Sequence, residues 1–117
     1  MDTKAEKLGV FSRIILFGDS NTYNSLEANY WGQKLAVHFS SVADVLVRGY
    51  PGGTTRSCLK YIKQLPLPET LDELLYVFIS FGINDSSDPC VSPYFHVPLD
   101  EYKSNIKKMI VFPAVYV

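Results

Sequence analysis

Three short apolar runs dictate what this chain can build. Residues 14–17, 42–47 and 74–81 are dense in valine, isoleucine, leucine and phenylalanine, and each gives way abruptly to glycine and polar residues. Gly18-Asp19-Ser20 follows the first, Gly49-Tyr50-Pro51-Gly52-Gly53 the second and Gly82-Ile83-Asn84-Asp85 the third. Short apolar runs with little polar alternation read as strands buried on both faces. The third, Leu74-Leu75-Tyr76-Val77-Phe78-Ile79-Ser80-Phe81, therefore reads as a central strand of a covered sheet.

The segments between the runs have helical spacing. Trp31, Leu35 and either His38 or Phe39 share one face after a polar turn reaching Glu27. Thr54 or Thr55 can cap a second helix over 56–64, which Pro66 and Pro68 end. Leu99, Tyr102, Ile106 and Met109 mark a third amphipathic helix over 99–111. Pro113 should stop it, leaving 114–117 as the start of a fourth strand. The order β-α-β-α-β-α-(β) calls for an α/β/α sandwich around a parallel sheet. Residues 1–12 read as a flexible N-terminal stretch, and the whole chain as one domain or part of one.

The totals narrow the function classes. The chain has 117 residues, with 11 Lys+Arg against 12 Asp+Glu, a net charge of −1. Such a balance offers no electrostatic footprint for nucleic acid or an anionic membrane surface. The charged opening, Met1-Asp2-Thr3-Lys4-Ala5-Glu6-Lys7, lacks the apolar core of a signal peptide. No apolar run approaches the ~20 residues that span a bilayer. Cys58 and Cys90 form no framework and read as free thiols. A cytoplasmic protein needing neither cofactor nor metal, with no membrane span, is the expectation.

In a parallel sheet the three glycine-rich strand ends lie on one edge. With the order 2-1-3 of flavodoxin-like sheets, Ser20 and Asn84 face one crevice and Gly52 flanks it. Ester hydrolysis needs a nucleophile, a base and donors aimed at the developing oxyanion. Ser20 Oγ suits the first role. The N–H groups of Ser20 and Gly52 and the Asn84 amide suit the third, each donor being worth ~3–4 kcal/mol of barrier. A glycine lets its N–H approach closely, and an asparagine donates without carrying charge.

Phe17-Gly18-Asp19-Ser20, then Gly52, then Gly82-Ile83-Asn84-Asp85, resembles the block order of the GDSL or SGNH hydrolases. Arg48-Gly49-Tyr50-Pro51-Gly52 with Thr55-Arg56, and His96-Val97-Pro98-Leu99-Asp100-Glu101-Tyr102, look like the isoamyl acetate-hydrolysing esterase branch. The resemblance covers about 13–109. It implies a flavodoxin-like parallel sheet and hydrolysis of small or short-chain acyl esters through an acyl-Ser20 intermediate. Ser20, Gly52 and Asn84 would form the oxyanion hole, and a small ester would be the substrate. The family's fourth block, an Asp-x-x-His that supplies the base, is absent from these 117 residues. The expectation is therefore a C-terminally truncated domain, weakly active or inactive, whose sheet lacks its final strands. Its third strand would present an unpaired edge that invites self-association.

Two histidines remain. His38, near the end of the first helix, lies ~10 Å further from the site than Trp31 at 1.5 Å per residue. His96 lies in the loop after the third strand, on the correct edge, where it could approach Ser20 as a base, and it reads rather as holding the loop or lining the pocket. Asp19 reads as a carboxylate that accepts turn N–H groups and fixes the Ser20 loop, and Asp85 reads the same way beside Asn84. Arg48 and Arg56 read as solvated charges. Tyr23, Tyr30, Trp31, Tyr50, Tyr94 and Phe95 include lining for an acyl pocket. The competing functional class is a non-catalytic binding or regulatory isoform that keeps the crevice without the base. A nucleotide-binding domain is disfavoured, because no glycine-rich phosphate motif is present.

Overall fold

The computed structural model describes residues 12–116, save the side chains of residue 71 and residues 113–116. The expected flexible segment lies outside these residues except for Ser12, which opens the first strand. In chain order come β1 (Ser12–Gly18), α1 (Ser20–Tyr23), α2 (Trp31–His38), β2 (Ala43–Gly49), α3 (Thr55–Cys58), β3 (Leu74–Ser80) and α4 (Leu99–Tyr116). Single 3-10 segments occupy Leu59–Gln64 and Leu71–Glu73.

Among the described residues the sheet has three parallel strands in the order β2-β1-β3, as the strand-end reading requires. Ile14 pairs with Val45 on one side and Tyr76 on the other, and Gly18 with Gly49 and Ser80. Ile14, Ile15, Leu16 and Phe17 have no solvent exposure, which is why this run contains no polar residue. Its side chains feed two cores. Ile15 and Phe17 pack with Cys58, Ile62, Leu65, Phe81 and Met109 beneath α3 and α4. Ile14 and Leu16 pack with Ala43, Leu35 and Phe39 against α2.

Three expectations need correction. β3 is not central, because among the described residues it pairs only with β1. Tyr76 and Phe78 are 51% and 39% exposed. The helix predicted over 56–64 is α-helical only through Cys58 and then tightens to 3-10 geometry ahead of Pro66, a common way for a helix to finish. Finally, α4 runs through Pro113 to Tyr116, so no fourth strand begins at 114. A proline at this position lacks the N–H that would bond the carbonyl four residues earlier and its ring crowds that carbonyl, a cost that the helix bears within its last turn.

One element is absent from the sequence reading. The stretch after Gly18 forms the short helix α1, capped by Asp19, whose side chain accepts from Asn21 N–H. Trp31 Nε1 donates to the Asn21 carbonyl at 3.2 Å and holds the start of α2 against α1. Tyr50 N–H donates to the Gly18 carbonyl, and Asp19 N–H to the Ser80 carbonyl. These bonds draw the C-terminal ends of β1, β2 and β3 together.

Candidate active site

Ser20 is the first residue of α1, immediately beyond the central strand. Its backbone is set by Asp19, which is 2% exposed and occupied with the cap. Asp19 thus does what its position implied: it orders the turn. Ser20 Oγ makes no hydrogen bond among the described residues.

The loop after β2 reaches Gly52 with φ +72°, a left-handed conformation that glycine adopts without cost. The Phe95 ring covers this residue, its Cε1 lying 3.5 Å from where a Cβ would stand. The Gly53 N–H closes a turn on the Tyr50 carbonyl, and the Gly53 carbonyl accepts from Asn84 Nδ2 at 2.9 Å. A side-chain amide has two N–H donors, so Asn84 keeps one for another acceptor. The loops holding Gly52 and Asn84 are therefore in direct contact, and both adjoin the strand whose end carries Ser20.

Asp85 differs from the expectation of a local turn-fixer. It is 3% exposed. Both its oxygens accept from Thr55 N–H at 3.1 Å, and Oδ2 also accepts from Thr55 Oγ1 at 2.5 Å. Thr55 Oγ1 in turn accepts from Asn105 Nδ2 at 3.1 Å. Thr54 caps α3 in a reciprocal capping box with Ser57. Sequence reasoning missed Asn105 altogether. Its signal was a polar residue three after Tyr102 and four before Met109, on the apolar face of α4. A polar side chain there needs a buried partner.

His96 Nδ1 lies 2.8 Å from the Ser87 carbonyl. A carbonyl only accepts, so Nδ1 carries the proton and Nε2 is the open ring position. The imidazole borders a cavity of about 380 Å3 with Gly82, Asp85, Ser86, Val97, Leu99 and Tyr102. Tyr102 OH donates to the Phe81 carbonyl at 2.8 Å. No contact among the described residues joins His96 to Ser20. His38 ends α2, exposed and packed edge-on against Phe39. Of the other residues singled out, Tyr50 stacks on Tyr61 at 4.4 Å and meets Phe17 edge-on. Tyr94 is 94% exposed. Arg48 bonds its neighbour Val47's carbonyl. Arg56 is not merely solvated: its guanidinium forms a fork with Glu101, both bonds 2.6 Å. That pairing lowers the Glu101 carboxyl below its ordinary range and raises Arg56. Burial pushes the Cys58 thiol up, and Cys90 is exposed. No helix among the described residues is long and apolar enough to cross a membrane.

Comparison with known proteins agrees with this fold. The chain is 38% identical over 104 residues to the human isoamyl acetate-hydrolyzing esterase 1 homolog, covering 88% of this chain and 42% of that protein. It is 40% identical over 105 residues to a GDSL esterase/lipase of Arabidopsis thaliana, covering 86% and 43%. The chain thus spans less than half the length of these curated relatives. Its fold matches a catalytic mutant of an acetylxylan esterase from Geobacillus stearothermophilus with a TM-score of 0.69 at 22% identity, over 95% of this chain and 58% of that one. An SGNH-hydrolase family esterase matches with a TM-score of 0.62 at 22% identity, over 88% and 53%. The family model for GDSL-like lipase/acylhydrolase matches residues 14–116, and the chain belongs to that family.

Proposed function

We propose that this chain carries the acyl-transfer part of a serine esterase site acting on small or short-chain acyl esters. Ser20 Oγ attacks the ester carbonyl carbon, and the alkoxide leaves with a proton to give an acyl-Ser20 and an alcohol. Water then cleaves the acyl-enzyme, releasing the acid and restoring the hydroxyl. The N–H groups of Ser20 and Gly52 and the free Asn84 amide proton stabilise the oxyanion in both steps. The observation that carries this reading is the contact between Asn84 Nδ2 and the Gly53 carbonyl. It joins two of the three strand-end loops beside a serine whose hydroxyl has no competing partner among the described residues.

The proton acceptor is the part these 117 residues do not supply. The chain has two histidines; His38 is remote, and His96 has no described contact with Ser20. Loss of the triad histidine from a serine hydrolase costs about 10⁶ in kcat, so turnover by this chain alone is expected near background. Hydrolysis of p-nitrophenyl acetate by the chain and by Ser20→Ala, with and without imidazole as a diffusible base, tests both halves. Without imidazole the two should coincide, and with it the unmodified chain should exceed the variant after subtraction of imidazole's own rate. A Ser20-dependent rate without imidazole would overturn the missing base and implicate His96. No Ser20 dependence in either condition would overturn acyl transfer and favour a crevice that binds without reacting.

A further inference from the structure

We propose that Asp85 is a positioning residue that holds the Asn84 amide in register with the glycine loop, acting through Thr55 and Asn105. The proposal rests on Asn84 and Gly52 serving as oxyanion donors, but its physical content is separate. Asn84 sits in a turn closed by the Ser86 N–H on the Gly82 carbonyl. Gly82 has φ +144°, so this turn has no regular secondary structure to hold it. Backbone bonds from Ser87 N–H to the Asn84 carbonyl and from Val97 N–H to the Asp85 carbonyl brace it from within, and side-chain bonds tie it to the neighbouring loop. Asn84 reaches Gly53, and the next residue, Asp85, reaches Thr55 two positions beyond Gly53. The two neighbouring side chains thus grip the β2–α3 connection at both ends of a three-residue span.

Chemistry favours this grip. A buried carboxylate is costly unless hydrogen-bonded, and Asp85 receives the Thr55 N–H and hydroxyl together. Bonds to a charged acceptor are about twice as strong as neutral ones. A hydroxyl donates once, so donation to Asp85 leaves Thr55 Oγ1 free to accept from Asn105. Asn105 therefore orients the hydroxyl towards the carboxylate and ties α4 into the same chain of bonds. All three side chains are 5% exposed or less, so water does not substitute for a lost member.

Isotope-labelled 117-residue chain, observed by NMR under conditions where it is fully folded, tests the proposal without requiring turnover. The Asn84 side-chain amide signal is assigned by its disappearance in Asn84→Asp. Thr55→Val keeps the shape and deletes the hydroxyl, whereas Thr55→Ser keeps the hydroxyl. Thr55→Val should accelerate exchange of the Asn84 amide protons about tenfold, as expected for a charge-assisted bond, and shift the Gly52 and Gly53 amides. Thr55→Ser should retain the parent exchange rate and shifts, and Asn105→Ala should fall between them. If Thr55→Val does not fold, the Asn105→Ala and Thr55→Ser pair makes the same comparison. Unchanged Asn84 exchange in folded Thr55→Val or Asn105→Ala, or equal effects of the serine and valine variants, would overturn the positioning role. A missing Ser20-dependent hydrolysis alters none of these signals, so the two readings fail separately.

Discussion

Gly49 and Gly52 lie three residues apart, yet the structure predicts different consequences for the same substitution. At Gly52 an added Cβ would meet only Phe95, at 3.5 and 3.8 Å, ordinary van der Waals distances. The penalty of Gly52→Ala is therefore conformational. A non-glycine residue at φ +72° costs about 1–2 kcal/mol. At Gly49 the added Cβ would come within 2.8 Å of Tyr23 Cβ and closer still to Tyr23 N and Cα. That obstacle is the backbone of α1, so Gly49→Ala must push α1 off the end of β2. We expect at least about 3 kcal/mol, the upper end for overpacking, from a domain whose whole stability is about 5–15 kcal/mol. Urea unfolding followed by Trp31 fluorescence and far-ultraviolet circular dichroism provides the assay. Trp31 is the only tryptophan and bonds the Asn21 carbonyl of α1, so its native emission should change in Gly49→Ala and stay constant in Gly52→Ala. A Gly49→Ala variant as stable as the parent, or one less harmful than Gly52→Ala, would refute the close packing of α1 on β2.

Alkylation by N-ethylmaleimide should modify exposed Cys90 promptly and Cys58, which is 1% exposed, only on unfolding; equal native rates would contradict the core around Met109. Burial raises Cys58 from its ordinary 9.0 and Tyr50 from 10.0, so the folded state keeps these protons to higher pH than the unfolded chain. Their contribution to stability is complete below about pH 9 and is lost as pH rises through the raised values; constant stability from pH 8 to 11 would contradict it. The open edge of β3, with Tyr76 and Phe78 exposed beside it, should make sedimentation depend on concentration, and a monomer unchanged across a hundredfold dilution would contradict that.

What the sequence disclosed depended on the range of the interactions. The run at 14–17 announced its own burial, since a strand covered on both faces excludes polar side chains, and the glycine-polar ends then placed Ser20, Gly52 and Asn84 on one edge. The run at 74–81 is just as apolar, but whether it lies inside a sheet is decided by what pairs beyond it, which its own composition does not report. Pro113 illustrates a local rule outweighed by a helix already formed. The short α1 was signalled only by Asp19 as a cap, because four residues are too few to show a periodicity. The partnership of Asp85 with Thr55 spans 30 residues and that of Asn105 with Thr55 spans 50; only the odd polarity of Asn105 on an apolar helix face hinted at it.

Those two separations also bear on when the site takes shape. During synthesis the β2–α3 loop emerges long before α4, and α3 itself is a single turn that nucleates weakly alone. Asp85 arrives thirty residues after Thr55, and Asn105 twenty after that. The glycine loop therefore acquires these partners only after a further 30 and 50 residues have been made. Loop closures of this length slow folding relative to local contacts. The order of completion should be the β1–β2 pair first, then the Asn84 turn on the glycine loop, and then the Asn105 bond from α4.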